Sequence, residues 1–262
     1  MSRLRPKAFK PYVPPQPKEA VRTTVIHSDV KTDAKAVDLE LDQQLVSDLS
    51  DLGIKNSLPF ISEVYNISDK LEDYVLVPTI VCPSDTPNRN GIAFPIDELV
   101  RFRPYPIFRQ AYKTWAGTPI HIEHDNKDHS KAIGVMFDTM LTKLEGFNGG
   151  KFWKVMGLIG VDKSKNELSA KYAQALLDNE LNTFSMGADA SELRCSICNS
   201  LATADVYKNC PHIASIDKIN FKKYNYNGKD RLAYLNAYHL SPFECSIVHS
   251  PAWISAASDT VL

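Results

Sequence analysis

The sequence has little of several features that define other classes of protein. Its 262 residues include no apolar run near the roughly 20 residues that a helix needs to span a bilayer. Neither sign of charge is in excess, because 30 basic and 31 acidic residues leave a net charge of -1. That balance argues against tight nucleic-acid binding by the whole chain. The basic N-terminal residues have no apolar stretch behind them, so we expect no signal peptide and a soluble, cytoplasmic protein.

Cysteine is sparse, and its placement argues against a disulfide framework. There are five cysteines, an odd number, and three of them cluster in one short segment. A Cys-x₂-Cys pair followed by a Cys-x-His pair is typical of a tetrahedral zinc site. The expected ligands are Cys195, Cys198, Cys210 and His212. With four protein ligands such a zinc is structural; the alternative is a group of reduced thiols.

The composition otherwise is that of a globular protein with 44% hydrophobic residues, and the chain is long enough for one or two domains.

Residues 1–55 differ in composition from the rest of the chain. Proline and lysine crowd positions 7–18, which disfavours a helix or a central strand. An acidic stretch with leucines at largely helical intervals follows at 38–51. We therefore expect a flexible N-terminal arm over 1–55 and a compact domain over 56–262.

Within the compact domain, apolar and β-branched runs predict strands, and Pro78 marks the first as an edge strand or a bulged one. The predicted strands are 73–82, 119–123, 132–141, 151–161 and 242–248, with a hairpin at Asn227-Gly228. Helices are predicted at 95–103 and 107–115. A third begins at a capping box formed by Ser164 and Glu167 and ends near Asn179.

A polar segment follows the second predicted strand. Residues 118–129 hold three histidines and three acidic residues, including His124 and Asp128. Their spacing matches neither the HExxH motif of zincins nor other common metal motifs. Two interpretations stay open: a loop with surface histidines, or a histidine base oriented by carboxylates.

A second candidate for chemistry is Ser185, which follows an apolar segment and precedes Gly187 by two residues. A nucleophilic serine needs a base and backbone amides aimed at the oxyanion, for which Met186 and Gly187 are candidates. This is not the GxSxG elbow of α/β-hydrolases, because Thr183 stands at the first glycine position. Taken alone, Ser-x-Gly is common in ordinary turns.

The order of these motifs resembles that of tailed-phage prohead (capsid maturation) serine proteases. The histidine motif spans 115–126, a strand follows at 133–138, and the serine motif spans 181–187. The segment 243–252 is similar to the family's Glu-x-Ser-x-Val strand followed by Pro-Ala. The resemblance covers roughly residues 70–255. It implies an α+β, assemblin-like fold: a mostly antiparallel β-barrel surrounded by helices, here with a zinc-binding insertion at 190–215.

The resemblance also implies an activity, a serine endopeptidase with Ser185 as nucleophile and His124 as base. The third member of the triad is Glu244, with Asp138 and Asp128 as alternatives. His212 lies at a distance from Ser185 that suits the second histidine of assemblins, but we favour the zinc-ligand role. The expected partners are phage scaffold and major capsid proteins, with portal or other head proteins and a homo-oligomer left open. The expected place is the prohead in the host cytoplasm, with no membrane partner.

Two other functions remain open. One is an inactive structural or interaction protein of the phage head that keeps a protease-derived fold. The other is a zinc-stabilised nucleic-acid-binding module, since 218–229 is basic and contains tyrosines. The near-zero net charge counts against the second.

Overall fold

The computed structural model describes residues 54, 57–105, 107–144, 152–202, 210–213 and 223–250. The predicted arm of residues 1–55 lies outside the described residues except for Ile54. Ile54 itself is buried, and its amide donates to the carbonyl of Phe137 at 2.9 Å.

The described chain is an α+β fold made mostly of strands, as predicted. The strands are β1 (Tyr74–Pro83), β2 (Ile92–Ala93), β3 (Phe102–Arg103), β4 (Arg109–Gln110), β5 (Pro119–Ile122), β6 (Gly134–Leu144), β7 (Phe152–Asp162), β8 (Phe184–Cys195), β9 (Lys223–Tyr226), β10 (Lys229–Leu232) and β11 (Leu235–Ile247). The helices are α1 (Leu58–Tyr65), α2 (Ile96–Leu99) and α3 (Glu167–Leu177). Short 3₁₀ helices lie at Leu71–Asp73, Ala111–Trp115 and His129–Lys131.

One seven-stranded sheet organises the domain, in the order β1-β7-β6-β5-β11-β2, with β8 paired to the other edge of β11. Its ladders are antiparallel except those of β11 with β5 and with β2, which are parallel. Within the described residues, no ladder joins β1 to β8, so the sheet is open. The helices are few, which departs from the predicted barrel with helices around it.

The sheet curls around the larger of two hydrophobic clusters, because both of its edge strands contribute to that cluster. Val77 of β1 and Phe184 of β8 belong to that cluster, together with the fully buried Trp115 and Ile120. A second cluster lies on the opposite face of β6 and β7, where Phe137 packs with Leu58 of α1. The curvature therefore places the outer face of β5, β11 and β8 away from the core.

Strand β11 is irregular at two points that matter for the site. His239 has a left-handed φ of 55°, and the register with β8 shifts between Pro242 and Glu244. Between them, the amide of Leu240 donates to the buried Glu98 carboxylate at 3.0 Å. Arg103 donates to the carbonyl of Leu240 at 2.9 Å and pairs with the same carboxylate. These contacts fix the strand just before Glu244.

Most predicted strands are confirmed. β1, β5, β6 and β7 lie where the apolar runs indicate, and β1 is an edge strand with a register shift after Ile80, as Pro78 suggests. The hairpin of β9 and β10 turns at Asn227 and Gly228, whose φ angles are 54° and 75°. Two positive φ values are typical of a type I′ turn.

Three helix predictions are wrong in part. The segment 95–103 is helical only over Ile96–Leu99, and its end forms β3. The segment 107–115 forms β4 and a 3₁₀ helix, because the amide of Ala111 bonds back to Arg101 across a tight hairpin. The predicted capping box is also wrong. Ser164 bonds Asp162 instead, and Asn166 is the N-cap of α3, accepting from the amide of Ser169 at 2.8 Å.

Gly134 allows β6 to approach β7 closely, since a Cβ there would overlap the carbonyl oxygen of Gly160. We expect Gly134→Ala to lower the free energy of unfolding by about 3 kcal/mol, because β6 and β7 would have to separate. Urea denaturation measures this. The control is Gly228→Ala, where only the left-handed φ opposes alanine and the expected cost is about 1 kcal/mol. Equal losses would contradict the steric argument.

Candidate active site and metal site

The candidate active site lies on the outer face of β5, β11 and β8. Ser246 of β11 is in register with His121 of β5 on one side and with Ser185 of β8 on the other. Side chains in register share a face, and neighbours along a strand point to opposite faces. The neighbouring residues Cys245 and Ile247 accordingly belong to the core. The polar row His121, Ser246 and Ser185 therefore faces away from the core.

Glu244 lies two residues before Ser246 and shares its face. Its side chain is buried, with 1% of the residue exposed, and both carboxylate oxygens are bonded. Oε1 accepts from His124 Nδ1 at 2.6 Å, and Oε2 accepts from Ser246 Oγ at 2.6 Å. A buried carboxylate with two donors is fixed in orientation, so it can in turn fix the imidazole.

His124 reaches this carboxylate from a turn that follows β5. Glu123 and His124 both have left-handed φ angles, 47° and 60°. The turn is bonded to β11 at two points, where Glu123 N donates to Ile247 O at 3.0 Å and His124 N donates to Ser246 Oγ at 3.2 Å. Just after β11, His249 N donates to Glu123 Oε1 at 2.7 Å. The left-handed turn folds the imidazole back over β11.

The contact with Glu244 also determines the tautomer of His124. A carboxylate only accepts hydrogen bonds, so Nδ1 carries the proton that lies between the two groups. In the neutral ring Nε2 is then an acceptor, which is the form that a general base needs. The side chain of His124 is 29% exposed, so the ring is accessible from outside.

Ser185 lies on the neighbouring strand but is not bonded to His124. It is 2% exposed, and its Oγ has no hydrogen-bond partner in the described part of the chain. Catalytic hydrogen bonds are often long in unliganded enzymes and tighten when substrate binds. The structure thus places Ser185 on the strand next to the one that carries Glu244, and Glu244 is bonded to His124.

The two alternative third members are placed elsewhere. Asp138 forms an ion pair with Lys113 at 3.0 Å and accepts from the amide of Thr139. Asp128 accepts from the amide and hydroxyl of Ser130, which lowers the pKa of its carboxyl, and it caps the 3₁₀ helix His129–Lys131. Of the three candidate acids, Glu244 is therefore the one bonded to His124.

The candidate oxyanion amides belong to Met186 and Gly187, directly after Ser185 on β8. A Cβ at Gly187 would lie 2.6 Å from the ring of Phe243 and 2.8 Å from Cγ of Glu244. A larger residue would thus displace Glu244 itself. Any loss of function on substituting Gly187 would report on the carboxylate as well as on the oxyanion.

Sequence reasoning missed two residues of this site. His121 is buried in β5 with both ring nitrogens unbonded within the described residues, and burial lowers its pKa. Its position inside the strand was the signal that separates it from the loop histidines. Ser246 was visible through the two-residue spacing from Glu244, which places both side chains on one face of a strand.

The four predicted metal ligands come together at the end of β8. The ligand atoms of Cys195, Cys198, Cys210 and His212 all lie within 4.8 Å of one another, so the cluster could hold a metal ion. Three neighbouring pairs of ligand atoms are 3.6 to 3.9 Å apart. Metal–sulfur bonds of about 2.3 Å in a tetrahedron place ligand atoms about 3.8 Å apart. The donor set and its spacing therefore fit a tetrahedral thiophilic ion.

The hairpin of β9 and β10 supports this cluster. Tyr224 packs edge-on against the ring of His212, with centroids 4.9 Å apart. Ser196, inside the Cys-x₂-Cys knuckle, exchanges hydrogen bonds with the backbone of Tyr234 at 2.9 and 3.0 Å. Cys195 lies ten residues beyond Ser185 on β8, roughly 30 Å along the strand. The cluster is therefore remote from Ser185 along the strand.

Two further findings bear on the class of protein. In the described ranges, no helix has the length and apolar character to cross a membrane. The chain matches no protein-family model, no curated protein and no solved structure. Function must therefore be inferred from the site itself.

The metal cluster makes a direct prediction about composition. We expect the purified protein to carry an equimolar metal ion that Cys198→Ser removes, because three ligands hold a tetrahedral ion poorly. Elemental analysis after dialysis measures this. Cys82→Ala is the matched control, since Cys82 is a buried free cysteine that is not one of the four clustered ligands, and its loss should leave the metal in place. Equal metal contents in both variants would contradict the assignment.

Proposed function

We propose that this protein is a serine endopeptidase that cleaves scaffold and capsid precursors during phage head maturation. The observation that supports the chemistry is the 2.6 Å contact between His124 Nδ1 and Glu244 Oε1, on the strand next to Ser185. Because Nδ1 donates to a buried carboxylate, Nε2 is left as an acceptor beside a strand that presents a serine. The resemblance of the motif order supports the choice of substrate class.

The mechanism follows from these three side chains. His124 Nε2 takes the proton from Ser185 Oγ as the oxygen attacks the scissile carbonyl, and Glu244 stabilises the imidazolium that forms. The amides of Met186 and Gly187 stabilise the oxyanion. His124 then gives its proton to the leaving amine, and an acyl-enzyme remains. Water, activated by the same histidine, releases the product.

The remaining parts of the proposal are structural. We propose that the curled sheet is an opened form of an assemblin-like barrel, and we assign zinc as the ion of the Cys₃His cluster. Zinc there would hold the end of β8 against the hairpin of β9 and β10. The proposed place of action is the prohead, with scaffold and major capsid proteins as partners.

One observation favours a second candidate, an inactive head protein with a protease-derived fold. Ser185 is 2% exposed, and its Oγ is bonded to no group in the described residues. A nucleophile must be reached by substrate, so an active enzyme has to uncover this serine when substrate binds. A structural protein would have no such requirement.

The deciding experiment is co-expression with the scaffold and major capsid precursors, read by intact-mass spectrometry. We expect defined fragments with the wild type and intact precursors with Ser185→Ala, because the nucleophile is lost. Both proteins must be shown to be folded by circular dichroism. Intact precursors in both samples would favour the structural head protein.

The third triad member can be tested in the same assay. We expect Glu244→Gln to lower the cleavage rate by about 10² to 10⁴-fold, because an amide does not stabilise the imidazolium and can favour the wrong tautomer. Asp128→Asn is the matched control. Its carboxylate only caps an exposed 3₁₀ helix, so the rate should stay within about twofold of the wild type. The reverse pattern would make Asp128 the orienting acid.

A further inference from the structure

Ser246 lies at the centre of the candidate site, although the proposed mechanism gives it no step and no contact with substrate. It is completely buried, and it is in register with both His121 and Ser185. A fully buried hydroxyl in a strand is found where it satisfies specific partners. Its partners here are both parts of the catalytic arrangement.

The hydroxyl of Ser246 makes two hydrogen bonds of opposite sense. It donates to Glu244 Oε2 at 2.6 Å and accepts from the backbone amide of His124 at 3.2 Å. The other carboxylate oxygen of Glu244 accepts from the ring of the same histidine at 2.6 Å. The three residues thus form a closed ring of hydrogen bonds, which holds His124 by its backbone and by its side chain.

The backbone conformation of His124 has to be stabilised by contacts of this kind. Its φ of 60° and that of Glu123, 47°, lie in the left-handed region, which non-glycine residues adopt at a cost. Such conformations persist when surrounding contacts over-determine them. The bond to Ser246 Oγ is the side-chain contact that anchors the amide of the histidine itself.

We propose that Ser246 is a positioning residue, which sets both the left-handed turn at His124 and the orientation of the Glu244 carboxylate. Its kinetic consequence rests on the proposed protease function, but the claim about geometry does not. Without the hydroxyl, Glu244 Oε2 has lost its donor and the amide of His124 has lost its acceptor. The carboxylate and the turn are then free to move, and the imidazole is no longer held in one orientation.

The test compares Ser246→Ala, Ser246→Thr and a matched control, Ser84→Ala. Ser84 is equally buried, and its Oγ accepts from the amide of Trp153 at 3.2 Å, away from the site. The substrate is a peptide spanning a cleavage site mapped by the co-expression experiment. We expect Ser246→Ala to lower kcat about 10- to 100-fold with KM within about twofold, because alignment and not binding is lost. Threonine, which keeps the hydroxyl, should restore most of kcat, and Ser84→Ala should leave it unchanged.

A second measurement does not depend on activity. The hydrogen-bonded Nδ1 proton of His124 is followed by low-field proton NMR of ¹⁵N-labelled protein and assigned by its loss in His124→Gln. Ser246→Ala should shift or abolish this resonance, whereas Ser84→Ala and Ser246→Thr should keep it. An unchanged resonance in Ser246→Ala overturns the positioning role. If the wild type cleaves nothing while the resonance responds as expected, the protease proposal fails and the positioning role stands.

Discussion

The long strand β11 is the constraint on which the rest of the described structure depends. It pairs with β8 over its length along one edge and with β2 and then β5 along the other. Without it, β8 would have no partner in the sheet and β5 would have only β6. The buried Glu98 and its arginines fix β11 near Leu240, just before the register shift that precedes Glu244. The core, the order of the strands and the candidate site therefore all depend on β11.

The chemistry of the candidate site depends on burial as much as on residue type. Glu244 and Ser246 are buried, while His124 remains partly exposed at the end of a turn. A hydrogen bond from imidazole to a buried carboxylate is stronger than the same bond in water, because competing solvent is absent. One side of the histidine is therefore held rigidly, and the other is available to a reacting group. This division suits a base whose position must be fixed while its free nitrogen exchanges a proton.

Local patterns predicted the strands and the hairpin, because alternation, β-branching and Asn-Gly act over a few residues. They failed at 107–115, where a short hairpin replaces the predicted helix and leaves Phe108 exposed. They failed also at Ser164, because Asp162 takes its hydroxyl and Asn166 supplies the cap. In each case a tertiary or near-neighbour partner, invisible to periodicity, decided the outcome. The curl of the sheet lay equally beyond local reasoning, since it depends on pairings between distant strands.

The same contrast holds for the site. The ligand set Cys195, Cys198, Cys210 and His212 could be read from spacing alone, because a knuckle keeps its ligands close in the sequence. The choice among Glu244, Asp138 and Asp128 could not, because it depends on which strand lies beside the turn that carries His124. Ser246 was overlooked for a related reason. The spacing from Glu244 places Ser246 on the same face of the strand, but its contact with the turn at His124 depends on the register between β11 and β5.

The sequence separation within the site has a consequence for how the protein is made. His124 and Glu244 are 120 residues apart, and the strand that carries Glu244 is the last one in the described sheet. Contacts of such long range form late, because the intervening chain must first be ordered. On the ribosome, residues up to β8 emerge well before β11 does. The arrangement of histidine and acid is therefore absent from the nascent chain, and any activity that depends on it begins only after β11 has joined the sheet.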